Sequence, residues 1–280
     1  MEKIWQAAQG LQEELVAIRR DLHKHPESGW TEFRTASFVI KELEKLGYAV
    51  TYGAEVVDEA SMMGVPSNVD LEKYMARAIS EGADAELIAK MAGGKTGVVA
   101  VLDTGKPGKT VGFRFDMDCN DVEEYDGADH RPKQEGFNSC HVNAMHACGH
   151  DGHVSVGLAV AKLLMAHKEE LVGKVKLIFQ PAEEGVRGAY AMINAGVADD
   201  IDYFFGGHIA FKATTDDSLV CLTDGFLATT KLDAVYKGVS AHAGLAPQDG
   251  KNALPAAAQA SISLHSISRH GKGASRINVG

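Results

Sequence analysis

Residues 145–153 read Met-His-Ala-Cys-Gly-His-Asp-Gly-His and stand directly before an apolar helical run at 154–165. Cys148 and His150 are one residue apart, and thiolate and imidazole suit zinc and its first-row neighbours. Two further segments supply metal-ligand types after short apolar runs. Gln180-Pro181-Ala182-Glu183-Glu184-Gly185 follows residues 175–179, and Gly206-Gly207-His208 follows residues 203–205. Taken singly, each cluster has a bland explanation. Twelve histidines guarantee some chance neighbours, and a Glu-Glu pair after a strand is usually solvated surface. Their shared position at strand-to-loop junctions favours a metal-dependent hydrolase, because open α/β sheets build sites beyond their strand ends.

The rest of the pattern fits a layered α/β fold. Leu11, Leu15, Ile18 and Leu22 recur at helical spacing, and Pro26 stops that helix because its ring disfavours helix in the residue before it. Residues 35–46 form a second amphipathic segment closed by Gly47, and residues 48–51 start a strand. Residues 55–94 break this rhythm and read as an insertion of helices lying outside the sheet. Residues 96–102 and 110–115 are β-branched and apolar around an Asp-Thr-Gly-Lys-Pro-Gly turn, so they are expected as a hairpin or adjacent strands. Residues 119–145 are too long for a passive connection. Residues 154–165 are an apolar helix whose positive N-terminal end faces the proposed site. Residues 188–195 are a short helix, and 175–179 and 203–205 are strands.

Past Leu222 the pattern changes to an expected strand at 228–236, an Ala-rich helix at 252–267 and a strand at 275–279. The expected division is a catalytic metal-binding domain over 1–222 and the start of a smaller α/β domain over 223–280. A lone strand–helix–strand unit cannot bury its sheet face, so this second domain reads as incomplete.

The 280 residues carry a net charge of −10, which argues against a nucleic-acid or anionic-membrane surface. No stretch approaches the ~18 continuous apolar residues of a membrane span. The N-terminus lacks the basic-then-apolar order of a signal peptide. Four scattered cysteines (Cys119, Cys140, Cys148, Cys221) do not make a disulfide framework. A cytoplasmic, reduced protein is expected, which keeps Cys148 available as a thiolate.

With these motifs assembled, the chain resembles the M20 metallopeptidase family, in its amidohydrolase branch and its aminobenzoyl-glutamate hydrolase group. The resemblance rests on Arg19-Arg20-Asp21-Leu22-His23 with Glu27-Ser28-Gly29-Trp30, on Phe113-Arg114-Phe115-Asp116-Met117-Asp118, and on the Cys-Gly-His-Asp-Gly-His block. It continues through Phe179 to Gly185, Gly207-His208-Ile209, and Ala241-His242-Ala243-Gly244 with Asn252-Ala253. One departure is that Asp116-Met117-Asp118 runs on into Cys119-Asn120-Asp121, where the wider branch has Ala-Leu-Pro.

The resemblance implies a zinc-peptidase-like catalytic α/β domain interrupted by a lid domain used for dimerisation. It implies two divalent ions, manganese or zinc, held by Cys148, His150, Glu184 and His208, with Cys148 in the place of a bridging carboxylate. Glu183 matches the catalytic carboxylate, and His242 a lid histidine that reaches a neighbouring active site. The family also uses a C-terminal ligand histidine beyond position 280. Asp116, Asp151 and His153 are expected to support the ligands, and Asn252 to touch a substrate carboxylate. His23 and His25 are read as structural.

The implied reaction is hydrolysis of an N-acyl amino acid amide, with p-aminobenzoyl-glutamate the favoured substrate. The implied assembly is a homodimer or a heterodimer with a related subunit. Two alternatives stay open: a broader N-acyl-amino-acid amidohydrolase or dipeptidase, and a non-catalytic partner subunit. The retained Glu183 counts against the latter, since a purely structural site needs no spare base.

Overall fold

The computed structural model describes residues 2–209, 215, 218–221, 223 and 225–280. The chain forms two compact units, Met1–Ser218 and Leu219–Gly280.

The first unit opens with α1 (Glu2–Gln9), α2 (Gln12–Lys24) and α3 (Phe33–Lys45). In α3, Phe33, Ala36, Val39, Ile40 and Leu43 recur at helical spacing and are all fully buried. Each large side chain among them contributes about 1.5–3 kcal/mol on burial, far more than its helix propensity. Glu27 starts the helix from below, its two carboxylate oxygens accepting the Arg34 and Thr35 N–H groups at 2.9 and 2.8 Å. Gly47 then takes a left-handed φ of 88°, and the chain turns into β1 (Ala49–Tyr52).

The segment 55–94 carries α4 (Asn68–Ser80) and α5 (Ala85–Lys90), which pack on α3 rather than on the sheet. It is not a surface appendage. Leu71, Ala78, Ile88 and Met91 belong to the same buried cluster as α3, and the Trp30 indole donates to the Met63 carbonyl at 2.8 Å.

Next come β2 (Val98–Asp103), β3 (Thr110–Asp116), α6 (Arg131–Gln134), α7 (His150–Ala166), β4 (Lys174–Gln180), α8 (Gly188–Asn194) and β5 (Tyr203–Gly206). The sheet order is β1-β2-β4-β3-β5. β2 pairs antiparallel with β1 and β4, while β3 pairs parallel with β4 and β5. This corrects the expected neighbourhood of β2 and β3, because β4 inserts between them. The apolar faces of both strands are satisfied by β4, which is itself buried over its last four residues. A short polar turn in sequence therefore hops over a strand that arrives only after α7. α7 supplies the crossover that two parallel strands require, packing against β3 and β4 on the way. Register then matters most. Asp116 lies opposite Gln180, so β3 and β4 end side by side, and β5 ends on the other flank of β3.

The second unit holds α9 (Ala253–His265), N-capped by Asn252, whose Oδ1 accepts the Leu254 N–H at 3.1 Å. The strands expected at 228–236 and 275–279 are absent among the described residues. A strand exists only where a neighbour supplies ladder bonds. Within this unit the described pairing is a single bridge between Val239 and Lys251.

The Arg34 guanidinium grips Asp21 with two bonds of 2.9 and 3.0 Å, tying α3 to α2. His25 first, and Arg34 next, hold the Asp21 carboxyl well below the usual carboxylate range, against the effect of burial. A carboxyl depressed in this way stabilises the fold above its unfolded pKa and loses that contribution as pH falls through the folded value. Asp21→Asn should therefore cost about 1 kcal/mol near neutral pH, since the half-exposed pair is screened by solvent. Urea titrations of both proteins should show this gap narrowing as pH is lowered below about 4. A gap unchanged in acid would mean the carboxylate charge is not what Arg34 reads.

Candidate metal centre and its braces

Three strand ends and one helix start converge above β3, β4 and β5. Gly149 takes a left-handed φ of 86° as the N-cap of α7, which turns the chain sharply between Cys148 and His150. His150 is fully buried, and its Nδ1 donates to the Asp118 carbonyl at 2.7 Å. That bond orients the ring and leaves Nε2 facing inward with no hydrogen-bond partner. Asp116 Oδ2 and Glu183 Oε2 each stand 3.8 Å from it. Cys148 Sγ lies 3.3 Å from His208 Nε2, and His208 Nδ1 donates to the Ile209 carbonyl at 2.8 Å.

Two triads of ligand atoms, each within 4.8 Å of one another, share His150: Cys148–His150–His208 and His150–Glu183–Glu184. Glu184 Oε1 and Asp118 Oδ1 are buried nearby without hydrogen-bond partners, while Asp116 Oδ2 is met by the Arg114 guanidinium at 2.8 Å. Buried acceptors in such number are rare unless a cation or ordered water completes them. Sulfur, imidazole and carboxylate donors at this spacing fit divalent first-row metals.

A third triad, Asp116–His150–His153, is equally close-set. His153 has both nitrogens in use, however. Its Nδ1 bonds Asp116 Oδ1, and its Nε2 accepts the Ile209 N–H at 2.8 Å. We read His153 as a brace that fastens the chain after β5 to the end of β3.

The electrostatics follow from crowding acids around a buried ring. Burial works against a charged His150, yet Asp118, Asp116 and Glu183 raise its pKa to about 9. Burial likewise opposes ionisation of Asp116, but His153, Arg114 and His150 lower it to about 2. The Cys148 thiol is pushed up to about 12 by burial first and then by Glu184 and Glu183. A divalent cation would reverse the sign of that local field and favour the thiolate. Glu183 is half-buried, its pKa raised by burial and then by Asp116, with Arg114 opposing. Arg114 stands 2.8 Å from Asp116 and 3.8 Å from Glu183, and its Nε donates to the Gln180 side chain at 2.8 Å.

Asp151 faces away from this cluster. Its Oδ2 accepts from His23 Nδ1 at 2.9 Å and its Oδ1 from the Gly152 N–H at 2.8 Å, pinning the first turn of α7 to α2. The same His23 reaches Glu124 at 3.1 Å, and Glu124 also holds His130 at 2.7 Å and the Ser139 N–H, so it organises the long 119–145 connection. His25 Nδ1 donates to the Asp21 carbonyl at 2.8 Å, at the end of α2.

His242 and Asn252 belong to the second unit. The His242 Nδ1 accepts the Gly244 and Leu245 N–H groups at 3.2 and 3.1 Å, so its Nε2 is the nitrogen left for chemistry. The Asn252 Oδ1 is occupied as the cap of α9.

Sequence reasoning missed Asp118, Asn120 and Glu32. Asp118 carries His150 on its carbonyl and accepts the Glu184 N–H on Oδ2 at 2.8 Å. Asn120 Oδ1 accepts the Cys148 N–H at 3.0 Å. Alternation from Asp116 to Asp118 beyond a strand was the available signal for the first. Glu32 is fully buried, its Oε1 accepting the Ala182 N–H at 2.7 Å and its Oε2 the Thr96 hydroxyl at 2.6 Å. Ala182 has a φ of 46°, unusual for a residue with a Cβ, and it immediately precedes Glu183. Glu32 thus holds the strained turn that aims both glutamates.

The profile of Peptidase family M20/M25/M40 matches residues 112–267. The chain belongs to this family. It is 51% identical over 280 residues to one of the subunits of p-aminobenzoyl-glutamate hydrolase from Escherichia coli K12, a match that covers all of this chain and 64% of that protein. It is 52% identical over 267 residues to indole-3-acetyl-aspartic acid hydrolase of Enterobacter agglomerans, covering 95% of this chain and 61% of that one. Among solved structures, an aminobenzoyl-glutamate utilization protein from Klebsiella pneumoniae superposes with a TM-score of 0.83 at 44% identity, over 99% of this chain and 64% of that chain. A dinuclear metal-binding M20 peptidase of Bacillus subtilis superposes with a TM-score of 0.51 at 28% identity, over 71% of this chain and 43% of that chain. The chain thus spans somewhat under two thirds of the length of the curated relatives it matches.

The brace at Glu32 can be tested without assaying activity. Burial, and then the charge of Asp118, raise its pKa from 4.5 to about 8. A carboxyl raised on folding keeps its proton in the native state while the unfolded chain has lost it, so stability falls as pH climbs between those two values. Glu32→Gln should remove that slope, and the variant should gain on the wild type from pH 5 to pH 8 in urea titrations. Glu32→Ala should cost about 2–4 kcal/mol at both, through the cavity and the stranded Ala182 N–H. Parallel curves for Glu32→Gln and wild type would show that Glu32 is not held neutral.

Proposed function

We propose that this chain carries the metal centre and catalytic carboxylate of an amidohydrolase that cleaves the amide of p-aminobenzoyl-glutamate to p-aminobenzoate and glutamate. One observation supports this reading above the others: the two adjacent glutamates have different surroundings. Glu184 buries an unpartnered oxygen inside the ligand cluster, whereas Glu183 is half-exposed beside Arg114 with a raised pKa. The two residues share one tight turn, closed by the Val186 N–H donating to the Glu183 carbonyl at 2.7 Å, and their carboxylates meet these different surroundings, so one can hold a metal while the other works on water. The relatives that are hydrolases of aminobenzoyl-glutamate and indole-3-acetyl-aspartate support an acylated acidic amino acid as the substrate class.

The groups that would hold two divalent ions, manganese or zinc, are Cys148, His150, Glu184 and His208. Such ions polarise an amide carbonyl and lower the pKa of water toward neutrality. Glu183 takes the proton from the attacking water and returns it to the amine nitrogen as the C–N bond breaks. Its raised pKa suits both halves of that transfer. Arg114 steadies Glu183 without neutralising it, because its shorter contact is to Asp116. Asp116, Asp151 and His153 keep the ligand-bearing segments in register. His242 is proposed to stabilise the tetrahedral oxyanion through its Nε2, in the active site of a second protomer, and Asn252 to neighbour the substrate carboxylate. The protein is proposed to be cytoplasmic, where Cys148 stays reduced, and to act as a homodimer or with a related subunit. The Escherichia coli relative is by name one component of a larger enzyme, which supports a multi-subunit assembly.

The near-equal identity to an indole-3-acetyl-aspartate hydrolase favours, as a second reading, a broader N-acyl-amino-acid amidohydrolase. A panel of aroyl and alkanoyl amino acids separates the two. Selectivity for p-aminobenzoyl-glutamate by at least about tenfold in kcat/KM, or about 1.4 kcal/mol, supports the first. Equal rates across acyl groups support the second.

In the intact protein, Glu183→Gln should retain its metal while turnover drops by about 10²–10⁴-fold. Glu184→Ala should lose metal as well as activity, as measured by elemental analysis after dialysis. Equal metal loss in both variants would overturn the division of roles. If His242 serves a neighbouring site, mixing inactive Glu183→Gln with inactive His242→Ala protomers should restore part of the activity. No recovery in demonstrably mixed dimers would place His242 outside the shared site.

A further inference from the structure

A second set of soft and hard ligands lies apart from the centre described above. Glu81 follows the last turn of α4, and Cys140 and His141 sit in the 119–145 connection. Ligand atoms of all three lie within 4.8 Å of one another. His141 Nδ1 donates to the Pro26 carbonyl at 2.8 Å, which turns Nε2 toward Glu81 Oε1 at 2.7 Å. This is the same device that presents His150 Nε2 in the main centre: a backbone carbonyl orients the ring and presents the other nitrogen. In the neutral ring, Nε2 then offers a lone pair to a carboxylate, and two lone pairs so close need a proton or a cation between them. The other Glu81 oxygen, Oε2, is buried and has no hydrogen-bond partner. Cys140 is a free, exposed cysteine, so the third donor stands at the solvent side of the pair.

We propose that Glu81, Cys140 and His141 form a second metal site that binds a zinc ion with one position open to solvent. One thiolate, one imidazole and one carboxylate match zinc in type, and three protein ligands leave the fourth tetrahedral position to water. Tetrahedral coordination sets the imidazole nitrogen and carboxylate oxygen about 3.3 Å apart, so the ion enters by displacing the proton and opening the His141–Glu81 pair slightly. Burial, and then the Glu81 charge, push the Cys140 thiol up, while Lys24 and Arg77 oppose this. Zinc uptake therefore releases protons and tightens as pH rises.

The site would tie two segments together, both already bonded to the N-terminal helices. The Cys140 N–H already donates to the Lys24 carbonyl at 2.9 Å, at the end of α2, and Arg34 Nε donates to the Glu81 carbonyl at 3.3 Å. A bound ion adds a cross-link from the 55–94 segment to the connection that carries Asn120, whose Oδ1 accepts the Cys148 N–H. It requires nothing of the catalytic reading.

Cobalt(II) is the probe, because its thiolate complexes absorb strongly in the near ultraviolet. The intact Cys148→Ser protein, checked for folding by circular dichroism, removes the main centre's thiolate. It should still show one cobalt–thiolate band, and adding Cys140→Ser should abolish it. A Cys148→Ser protein without the band, or a band that survives Cys140→Ser, overturns the proposal. Should Cys148→Ser fail to fold, native mass spectrometry of zinc-loaded wild type against Cys140→Ser carries the test. One zinc fewer in the variant supports the site, and an equal count removes it.

Discussion

The parallel pairing of β3 with β4 is the constraint from which the candidate site follows. With Asp116 opposite Gln180, the two strands stop at the same level, and the next residues of each spill over one edge. Asp118 and Glu184 then meet across that edge through the 2.8 Å bond from the Glu184 N–H. A slip of one residue would send every side chain to the opposite face and separate them. The register is well defended, since Phe115 lies opposite Phe179 with ring centroids 5.4 Å apart, and both residues pack into the core. Packing energy spent deep in the sheet thereby fixes the position of carboxylates at its rim.

Above that edge, precision comes from buried polar braces rather than from apolar contact. Each ligand-bearing segment is tied by a group that is not itself free to bind metal. Asp151 locks the start of α7 to His23, His153 ties the chain after β5 to Asp116, and Glu32 holds the Ala182 turn. Burying such groups is expensive unless every oxygen is matched. Asp151 and Glu32 meet this condition on both carboxylate oxygens. Asp118 and Glu184 each leave one buried oxygen without a hydrogen bond, that of Asp118 standing 3.3 Å from His150 Nδ1. The contrast separates groups that build the site from groups that await something in it.

How far the chain itself revealed this depends on the range of the contacts. Cys148 and His150 were legible because a left-handed glycine and a helix start are local, and the Glu183–Glu184 pair because it closes a strand. The layered α/β class was legible for the same reason. The sheet order was not. Nothing local in residues 98–116 announces that β4 will part β2 from β3, because that choice is made by a strand whose own sequence would pair equally well with either. Glu32 escaped notice because its partners Thr96 and Ala182 are 64 and 150 residues away. In sequence it reads as an ordinary acidic residue at a helix start. The strands expected in 228–236 and 275–279 show the opposite error: alternation describes a face that suits a sheet, and does not supply the neighbour that makes one.

The different surroundings of Glu183 and Glu184 are a consequence of the same architecture. Two consecutive residues of one type would have equal chemistry in a solvated loop. Here the backbone N–H of Glu184 is anchored by Asp118, which draws its side chain down into the cluster. Its neighbour is left at the mouth, facing Arg114 at 3.8 Å. Arg114 in turn is fixed by Gln180 and Asp116, one at the end of each paired strand. The surroundings of Glu183 thus combine the ends of β3 and β4 with the start of α7: burial and Asp116 raise its pKa, while Arg114 and His150, the latter 3.8 Å away, oppose the rise.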